Sequence, residues 1–166
     1  MRLSRLLKAV EIDPEFAQAH RILALVYAQQ GRFPEAMNEG RKALDVDAND
    51  TATMACIGYL YAITGRKDEA GKMLTALKKL VNQGLAAPDV LAYVYTGLGE
   101  RDRAIQSLEE TYEGPSRALL YSVTVLPLFD SLSADPRYQS LLQRLQNDSS
   151  KATISNSTRD SESDPR

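Results

Sequence analysis

Apolar residues recur along the chain at the spacing of an amphipathic helix. Ile22, Leu23 and Val26 fall on one face of a helix with about 3.6 residues per turn. Gly31 follows them, and glycine ends a helix readily because it adopts the left-handed conformation at little steric cost. A second amphipathic stretch covers residues 33–46. Because no stretch alternates between polar and apolar residues as a strand would, the pattern predicts an all-α fold of helix pairs.

The helix pair recurs with a fixed period. Gly31, Gly65 and Gly99 stand 34 residues apart. Four further columns keep this step: Tyr27, Tyr61 and Tyr95; Ala36, Ala70 and Ala104; Ala24, Gly58 and Ala92; and Leu23, Ile57 and Leu91. The repeat frames are 17–50, 51–84 and 85–118. A single helix pair cannot bury its apolar face alone, so the period predicts that successive pairs stack on one another.

Four residues have the chemistry of helix starts. Thr51 is expected to cap the first helix of the second frame with its hydroxyl oxygen. Pro88 is expected to open the first helix of the third frame. Further along, Asp135 suits an N-cap and Pro136 suits the first position of a last helix. A short helix is also expected over residues 117–122.

These columns together resemble the tetratricopeptide repeat family. Its motif places a leucine, a small residue and a tyrosine ahead of a glycine and an alanine, in a frame of about 34 residues. The motif reads Leu23-Ala24-Leu25-Val26-Tyr27, Gly31 and Ala36; then Ile57-Gly58-Tyr59-Leu60-Tyr61, Gly65 and Ala70; then Leu91-Ala92-Tyr93-Val94-Tyr95, Gly99 and Ala104. His20, Met54 and Pro88 replace the tryptophan that the family often has. The resemblance covers residues 2–118 and implies an α-solenoid of antiparallel helix pairs, a tetratricopeptide-like superhelix.

The N-terminal segment 1–16 is interpreted as a partial leading repeat that holds only a second helix. Its apolar residues Leu3, Leu7 and Val10 would then be uncovered and form a docking face. This face is expected to bind a missing repeat or another copy of the chain, which would give a homo-oligomer. The alternative is a simple N-terminal capping helix.

Beyond the third repeat the period stops. Residues 119–146 are predicted to form a C-terminal helical cap, in which Leu141, Leu142 and Leu145 provide the apolar face of the last helix. From residue 147 to 166 the composition becomes polar, with only Ala152 and Ile154 apolar. Such a segment cannot offset the entropy of ordering, so a disordered tail is expected.

Part of this cap has a second resemblance. The string from Leu128 through Asp135-Pro136 to Leu142 is similar to the end of the repeat domain in many bacterial multidomain regulators. In those proteins the repeats follow a DNA-binding, kinase or cyclase domain. The resemblance implies an alternative function, in which this chain is the C-terminal assembly or sensory module of a larger regulator that docks through its N-terminal helix.

Charge and composition narrow the function classes. The 166 residues include 20 Lys and Arg against 22 Asp and Glu, a net charge of -2, which is too balanced for binding nucleic acid through its phosphates. One cysteine and one histidine exclude a metal centre with several thiolate or imidazole ligands. No apolar run reaches about 18 residues, so no contact with a membrane is expected. The N-terminus lacks an apolar signal core, which favours a cytoplasmic location.

No residue cluster indicates catalysis or a cofactor. Cys56 and His20 fall one repeat apart and are interpreted as packing residues, and Glu109-Glu110 as a solvated helix face. The acidic run Asp45, Asp47, Asn49 and Asp50 lacks the glycine and the distal glutamate of a calcium loop. The protein is therefore expected to be a non-catalytic module without metal or cofactor.

The expected site is a groove for a protein or peptide partner. In the family that the repeats resemble, the first helix of each pair lines the concave surface. Carried over by frame position, its residues are Gln18, Arg21, Ile22, Leu25, Gln29, Ala55, Cys56, Tyr59, Ile63, Asp89, Val90, Tyr93 and Thr96. Leu25, Tyr59, Ile63 and Tyr93 are expected to anchor a peptide or partner helix. The alternative is that the C-terminal cap of the chain covers this groove, or that the groove is filled only with water.

Overall fold

The computed structural model describes residues 2–120, 124 and 126–162, and all its regular elements are helical. The eight α-helices of these ranges are α1 Arg2–Ile12, α2 Ala17–Gln29, α3 Phe33–Val46, α4 Thr51–Ile63, α5 Lys67–Asn82, α6 Asp89–Leu98, α7 Arg101–Glu113 and α8 Pro136–Glu162. Two 3₁₀ segments lie between α7 and α8, at Arg117–Leu119 and Pro127–Leu132. The predicted all-α class is confirmed for the described residues. The short helix expected over 117–122 falls partly outside them.

The helices pack as consecutive pairs. The pairs α2–α3, α4–α5 and α6–α7 each pack internally, and α4 also packs against both α2 and α6. The second helices α3 and α5 pack against the first helix of the following pair. The first helices α2, α4 and α6 therefore form one connected layer, which we call the first-helix face.

Each pair turns at a glycine, as the period predicts. Gly31, Gly65 and Gly99 have φ angles of 73°, 79° and 76°, in the left-handed region that other residues rarely adopt. No residue other than glycine has a positive φ in the described part of the chain. A single residue separates each glycine from the second helix, which keeps the turn short.

The start of α4 differs by one residue from the sequence prediction. Asp50, not Thr51, is the N-cap, and its carboxylate accepts hydrogen bonds from the backbone N–H groups of Ala52 and Thr53, both at 3.1 Å. The prediction of Thr51 is wrong because an ionised carboxylate has two acceptor oxygens and accepts two free N–H groups at once. At α8 the prediction is confirmed, since Asp135 accepts from the backbone N–H of Arg137.

An arginine stacks on the tyrosine of the repeated column at each of the first two turns. The Arg32 guanidinium lies 4.3 Å from the centre of the Tyr27 ring and pairs with Glu35. The second repeat has the same arrangement, with Tyr61, Arg66 and Glu69. In the third repeat the acidic and basic residues exchange positions, so that Glu100 lies in the turn and Arg103 lies over the Tyr95 ring. These partly exposed contacts hold the turn against the end of the first helix, and solvent screening keeps each of them weak.

Two glycines allow α4 and α6 to approach closely. A Cβ atom on Gly58 would lie 2.6 Å from a methyl group of Val94, and one on Gly97 would lie 2.8 Å from the Cβ atom of Ala62. Neither distance is compatible with a real side chain. The small-residue column at Gly58 therefore marks a helix crossing, whereas Gly97 lies outside the repeated columns.

The C-terminal segment folds back onto the first-helix face. The 3₁₀ segment Pro127–Leu132 packs against α2 and α6, and its Leu128, Phe129 and Leu132 are buried. The helix α8 packs against α7. At this contact the Tyr112 ring lies between the guanidinium groups of Arg117 and Arg144, each 4.4 Å from its centre.

Helix α8 extends past the point where the sequence predicts a disordered tail. It runs to Glu162, whereas the tail is predicted from residue 147. Asp148 accepts a hydrogen bond of 2.8 Å from the Tyr112 hydroxyl and pairs with Arg117. These two partners stabilise the helix across residue 147. Residues 163–166 of the predicted tail lie outside the described residues.

The N-terminal helix α1 packs against α2 with part of its apolar surface exposed. Leu3 and Val10 are half-buried against the core, while Leu7 is 42% exposed. Ile12, the last residue of α1, is 74% exposed, and Phe16 in the loop that follows is 43% exposed. Within the ranges that the structure describes, no helix combines the length and the apolar character needed to cross a membrane.

Candidate functional site

The structure divides the thirteen predicted groove residues between interior and surface. Those in the interior are Leu25, Ala55, Cys56, Asp89, Val90 and Tyr93. Those that are half-buried are Arg21, Ile22, Tyr59, Ile63 and Thr96, and those that are exposed are Gln18 and Gln29. All belong to α2, α4 and α6, so they share the first-helix face, but only part of the set can meet a partner from solution.

Two of the four expected anchor residues are covered by the chain itself. Tyr93 is 2% exposed, and its ring packs edge-on against Phe129 with the ring centres 5.6 Å apart. Leu25, also 2% exposed, lies on α2, which packs against the same C-terminal segment. As the structure stands, these two side chains cannot anchor a partner. This arrangement corresponds to the alternative in which the C-terminal cap covers the groove.

Four of the remaining residues lie towards the C-terminal ends of the first helices. Gln29, Tyr59, Ile63 and Thr96 retain exposed surface there, and we call them the outer strip. The Tyr59 ring lies beside Gly97, since a Cβ atom on that glycine would be 3.0 Å from the ring. Tyr59 and Ile63 are the two expected anchor residues that keep exposed surface, so a partner can reach them from solution.

A cavity of about 230 Å³ lies near the N-terminal ends of the first helices. Its walls come from α2, from the first turn of α4, from α6 and its preceding loop, and from the C-terminal segment. The lining residues are Gln18, Arg21, Ile22, Thr51, Ala52, Ala87, Asp89, Val90, Tyr93, Leu119 and Leu126. We call it the Arg21 cavity.

Two opposite charges line this cavity without contacting each other. Arg21 comes from α2 and Asp89 from the first turn of α6, and no ion pair joins them within the described residues. Arg21 Nε and Asp89 Oδ1 are both buried, and neither has a hydrogen-bond partner in the part of the chain that the structure describes. Buried polar atoms of this kind are rare in folded proteins and each requires a physical reason.

Burial is the largest influence on the pKa of Asp89. Asp89 is 5% exposed, and this burial raises the pKa of its carboxyl group to about 6. The nearby charge of Arg21 and the backbone N–H groups of Asp89 and Val90 act in the opposite direction but do not outweigh burial. Burial also raises the pKa of Tyr93, whose hydroxyl interacts with Arg21.

We expect Asp89→Asn to stabilise the protein at pH 7.5 by about 2–3 kcal/mol, because an ionised carboxylate is then no longer buried. In the unfolded chain Asp89 ionises near pH 4, whereas in the folded chain it ionises near pH 6. Folding therefore loses stability as the pH rises through this window, and the penalty is constant above it. Urea denaturation at pH 4 and pH 7.5 should show a gain from the substitution only at the higher pH. An equal gain at both values would contradict the raised pKa.

His20 and Cys56 occupy structural positions. The Nε2 atom of His20 lies 2.8 Å from the Pro14 carbonyl oxygen, which can only accept, so Nε2 carries a proton. The Nδ1 atom lies 2.5 Å from the Glu39 carboxylate, so the ring connects the loop before α2 to α3. Cys56 is fully buried, and burial raises its pKa to about 12, which keeps the thiol protonated at neutral pH.

The acidic run before α4 also has structural partners. Asp47 accepts a hydrogen bond of 2.9 Å from the backbone N–H of Asn49, and Asp50 caps α4. Among the described residues, no group of histidine, cysteine, aspartate or glutamate side chains is arranged to hold a metal ion. These hydrogen bonds explain the acidic composition of this turn as loop and cap chemistry.

Several residues of the Arg21 cavity are absent from the predicted groove. They are Thr51, Ala52, Ala87, Leu119 and Leu126. Thr51, Ala52 and Ala87 precede the apolar columns of their frames, so the repeat pattern does not mark them. Leu119 and Leu126 come from the cap, where the apolar string from Leu126 to Phe129 is the only sequence signal. That string indicates burial but not the surface on which it packs.

A scan against models of known protein families gave no match to this chain, and a search of curated proteins likewise found none. The resemblance to the tetratricopeptide repeat family therefore stays a prediction that depends on the repeated columns.

Proposed function

We propose that this protein is a non-catalytic interaction module, built as a tetratricopeptide-like α-solenoid, that binds a peptide or partner helix on its first-helix face. The observation that supports this most directly is the outer strip. Tyr59 and Ile63 are half-buried apolar side chains, and the polar Gln29 and Thr96 also keep exposed surface on the first helices. An aromatic and an aliphatic anchor with a polar rim is the composition of protein interfaces.

The layered packing also supports the proposal. Since α4 contacts both α2 and α6, residues of three helices contribute to one surface. A helical repeat protein typically uses such a surface for an extended or helical ligand. The C-terminal segment covers Tyr93, whereas Tyr59 and Ile63 of the outer strip are only half-buried. Partner binding is therefore proposed at Tyr59 and Ile63 rather than at all four residues that the sequence indicates.

Charge substitution at the outer strip tests this proposal. We expect the double variant Tyr59→Glu/Ile63→Glu to lose its partner in affinity capture from a lysate of the source organism. Two buried carboxylates cannot be accommodated in an apolar interface. Leu85→Glu is the matched control, because Leu85 is 68% exposed and lies outside the first-helix face. Circular dichroism must show that both variants keep the helical content of the wild type. Equal recovery of the partner with both variants would contradict the proposal.

A second candidate function depends on the apolar surface at the N-terminal end. Leu7, Ile12 and Phe16 are between 42% and 74% exposed, which is unusual for large apolar side chains so close in sequence. This surface fits the alternative of an assembly module in a larger bacterial regulator, docking through α1. Self-association through α1 should appear as a dimer in analytical ultracentrifugation that Leu7→Glu converts to a monomer. A monomer at all concentrations would exclude the homo-oligomer.

A further inference from the structure

The Arg21 cavity has the features of a small-molecule site rather than of a packing defect. Packing defects are lined by apolar atoms, whereas this cavity is lined by a guanidinium, a carboxylate and a phenol in addition to apolar side chains. Arg21 is half-buried, so the cavity is connected to the surface on its side. Asp89 lines the cavity from a different helix, α6, and is 5% exposed.

The unpartnered atoms define what a ligand must offer. Arg21 Nε can only donate a hydrogen bond, and ionised Asp89 can only accept one. Leaving such buried groups unpaired costs stability, so a ligand that pairs with both would gain from relieving that cost. A purely anionic ligand would pair with Arg21 but would face Asp89. A purely cationic ligand would have the opposite conflict with Arg21.

A zwitterion resolves both conflicts. Guanidinium groups bind carboxylates through charge-assisted hydrogen bonds, and carboxylates bind ammonium groups in the same way. The apolar part of the wall, from Ile22, Val90 and Leu126, favours an aliphatic side chain on the ligand. The cavity is smaller than the roughly 300–1,000 Å³ that drug-sized ligands occupy. At about 30 Å³ per water molecule it has room for about eight waters, so a ligand as small as valine or leucine fits inside it.

We propose that the Arg21 cavity binds a free α-amino acid with an aliphatic side chain, its carboxylate at Arg21 and its ammonium group at Asp89. The Tyr93 hydroxyl, which interacts with Arg21, lines the same wall. Because the C-terminal segment contributes Leu119 and Leu126, a bound amino acid stabilises the docked position of that segment. The site is separate from Tyr59 and Ile63, so partner binding and amino-acid binding succeed or fail independently.

Isothermal titration calorimetry of the full chain with valine and leucine tests the site directly. We expect saturable binding of at least one of them to the wild type at pH 7.5. We expect no binding of 3-methylbutanoate, which lacks the ammonium group of valine, or of isobutylamine, which lacks its carboxylate. Equal binding of either analogue, or no binding of valine or leucine at millimolar concentration, would overturn the proposal. Binding of a peptide with N-terminal valine but not of free valine would also overturn it and assign the site to a peptide end.

Variants of the two charged residues test the assignment of groups. Asp89→Asn and Arg21→Gln should each weaken binding by about tenfold or more, as expected for one hydrogen bond to a charged group. Asp68→Asn and Arg41→Gln are the matched controls, since both residues are exposed and lie outside the cavity. Equal affinity in the Asp89→Asn variant and its control would overturn the proposed contact. If Arg21→Gln does not fold, the two valine analogues still decide the proposal on the wild type.

Discussion

Replacing Phe129 with alanine is expected to destabilise the protein by about 3–5 kcal/mol, the cost of removing a fully buried aromatic ring. Phe129 is 1% exposed and packs edge-on against Tyr93 of α6. Its loss removes this contact and leaves a cavity between α6 and the C-terminal segment. Urea denaturation followed by circular dichroism measures the change in the free energy of unfolding.

Phe33→Ala is the matched control for this experiment. It deletes the same ring, but Phe33 is 39% exposed at the start of α3, so its loss should cost well under half as much. Similar losses for both variants would mean that Phe129 is not buried against the first-helix face. The groove would then be open, and Tyr93 would again be a candidate anchor for a partner.

Gly97→Ala is expected to lower the free energy of unfolding by about 1–3 kcal/mol through overpacking. The added methyl group would lie 2.8 Å from the Cβ atom of Ala62 and 3.0 Å from the backbone oxygen of Tyr59. A backbone atom cannot rotate away, so α4 and α6 must separate. This cost is expected to exceed the gain of about 1 kcal/mol that alanine brings to a helix interior.

The control for Gly97→Ala is Gly71→Ala in α5. A Cβ atom there would have no neighbour within 4 Å, so only the helix propensity changes. This variant should be more stable than the wild type by about 0.5–1 kcal/mol. The two substitutions are chemically identical and are expected to have opposite signs in thermal or urea denaturation. Stabilisation by both would contradict the close crossing of α4 and α6.

Local and periodic features of the fold were predictable from the sequence. The apolar spacing predicts helices, and the recurring Gly31, Gly65 and Gly99 mark turns with left-handed backbone. The cap at Asp135 is likewise a short-range signal that the structure confirms. These features depend on residues within a few positions of one another, so the pattern of one chain is sufficient to find them.

The candidate site depends on contacts between distant parts of the chain. Tyr93 and Phe129 are 36 residues apart in the sequence, and nothing local in either segment specifies that the two rings meet. For this reason the sequence marks Tyr93 as an anchor for a partner, while the structure buries it beneath the C-terminal segment. The opposed charges of Arg21 and Asp89 also belong to different repeats, and only the folded structure reveals that they line one cavity.

The central claim is that a protein partner binds at the outer strip of the first-helix face. Photo-crosslinking from this strip tests it most directly, with a photoreactive phenylalanine analogue at Ile63 and the same analogue at the exposed Lys72 of α5 as reference. Our account predicts a discrete crosslinked partner from Ile63 that is lost when Tyr59→Glu is added. A partner crosslinked equally from both positions, or only from Lys72, would contradict it.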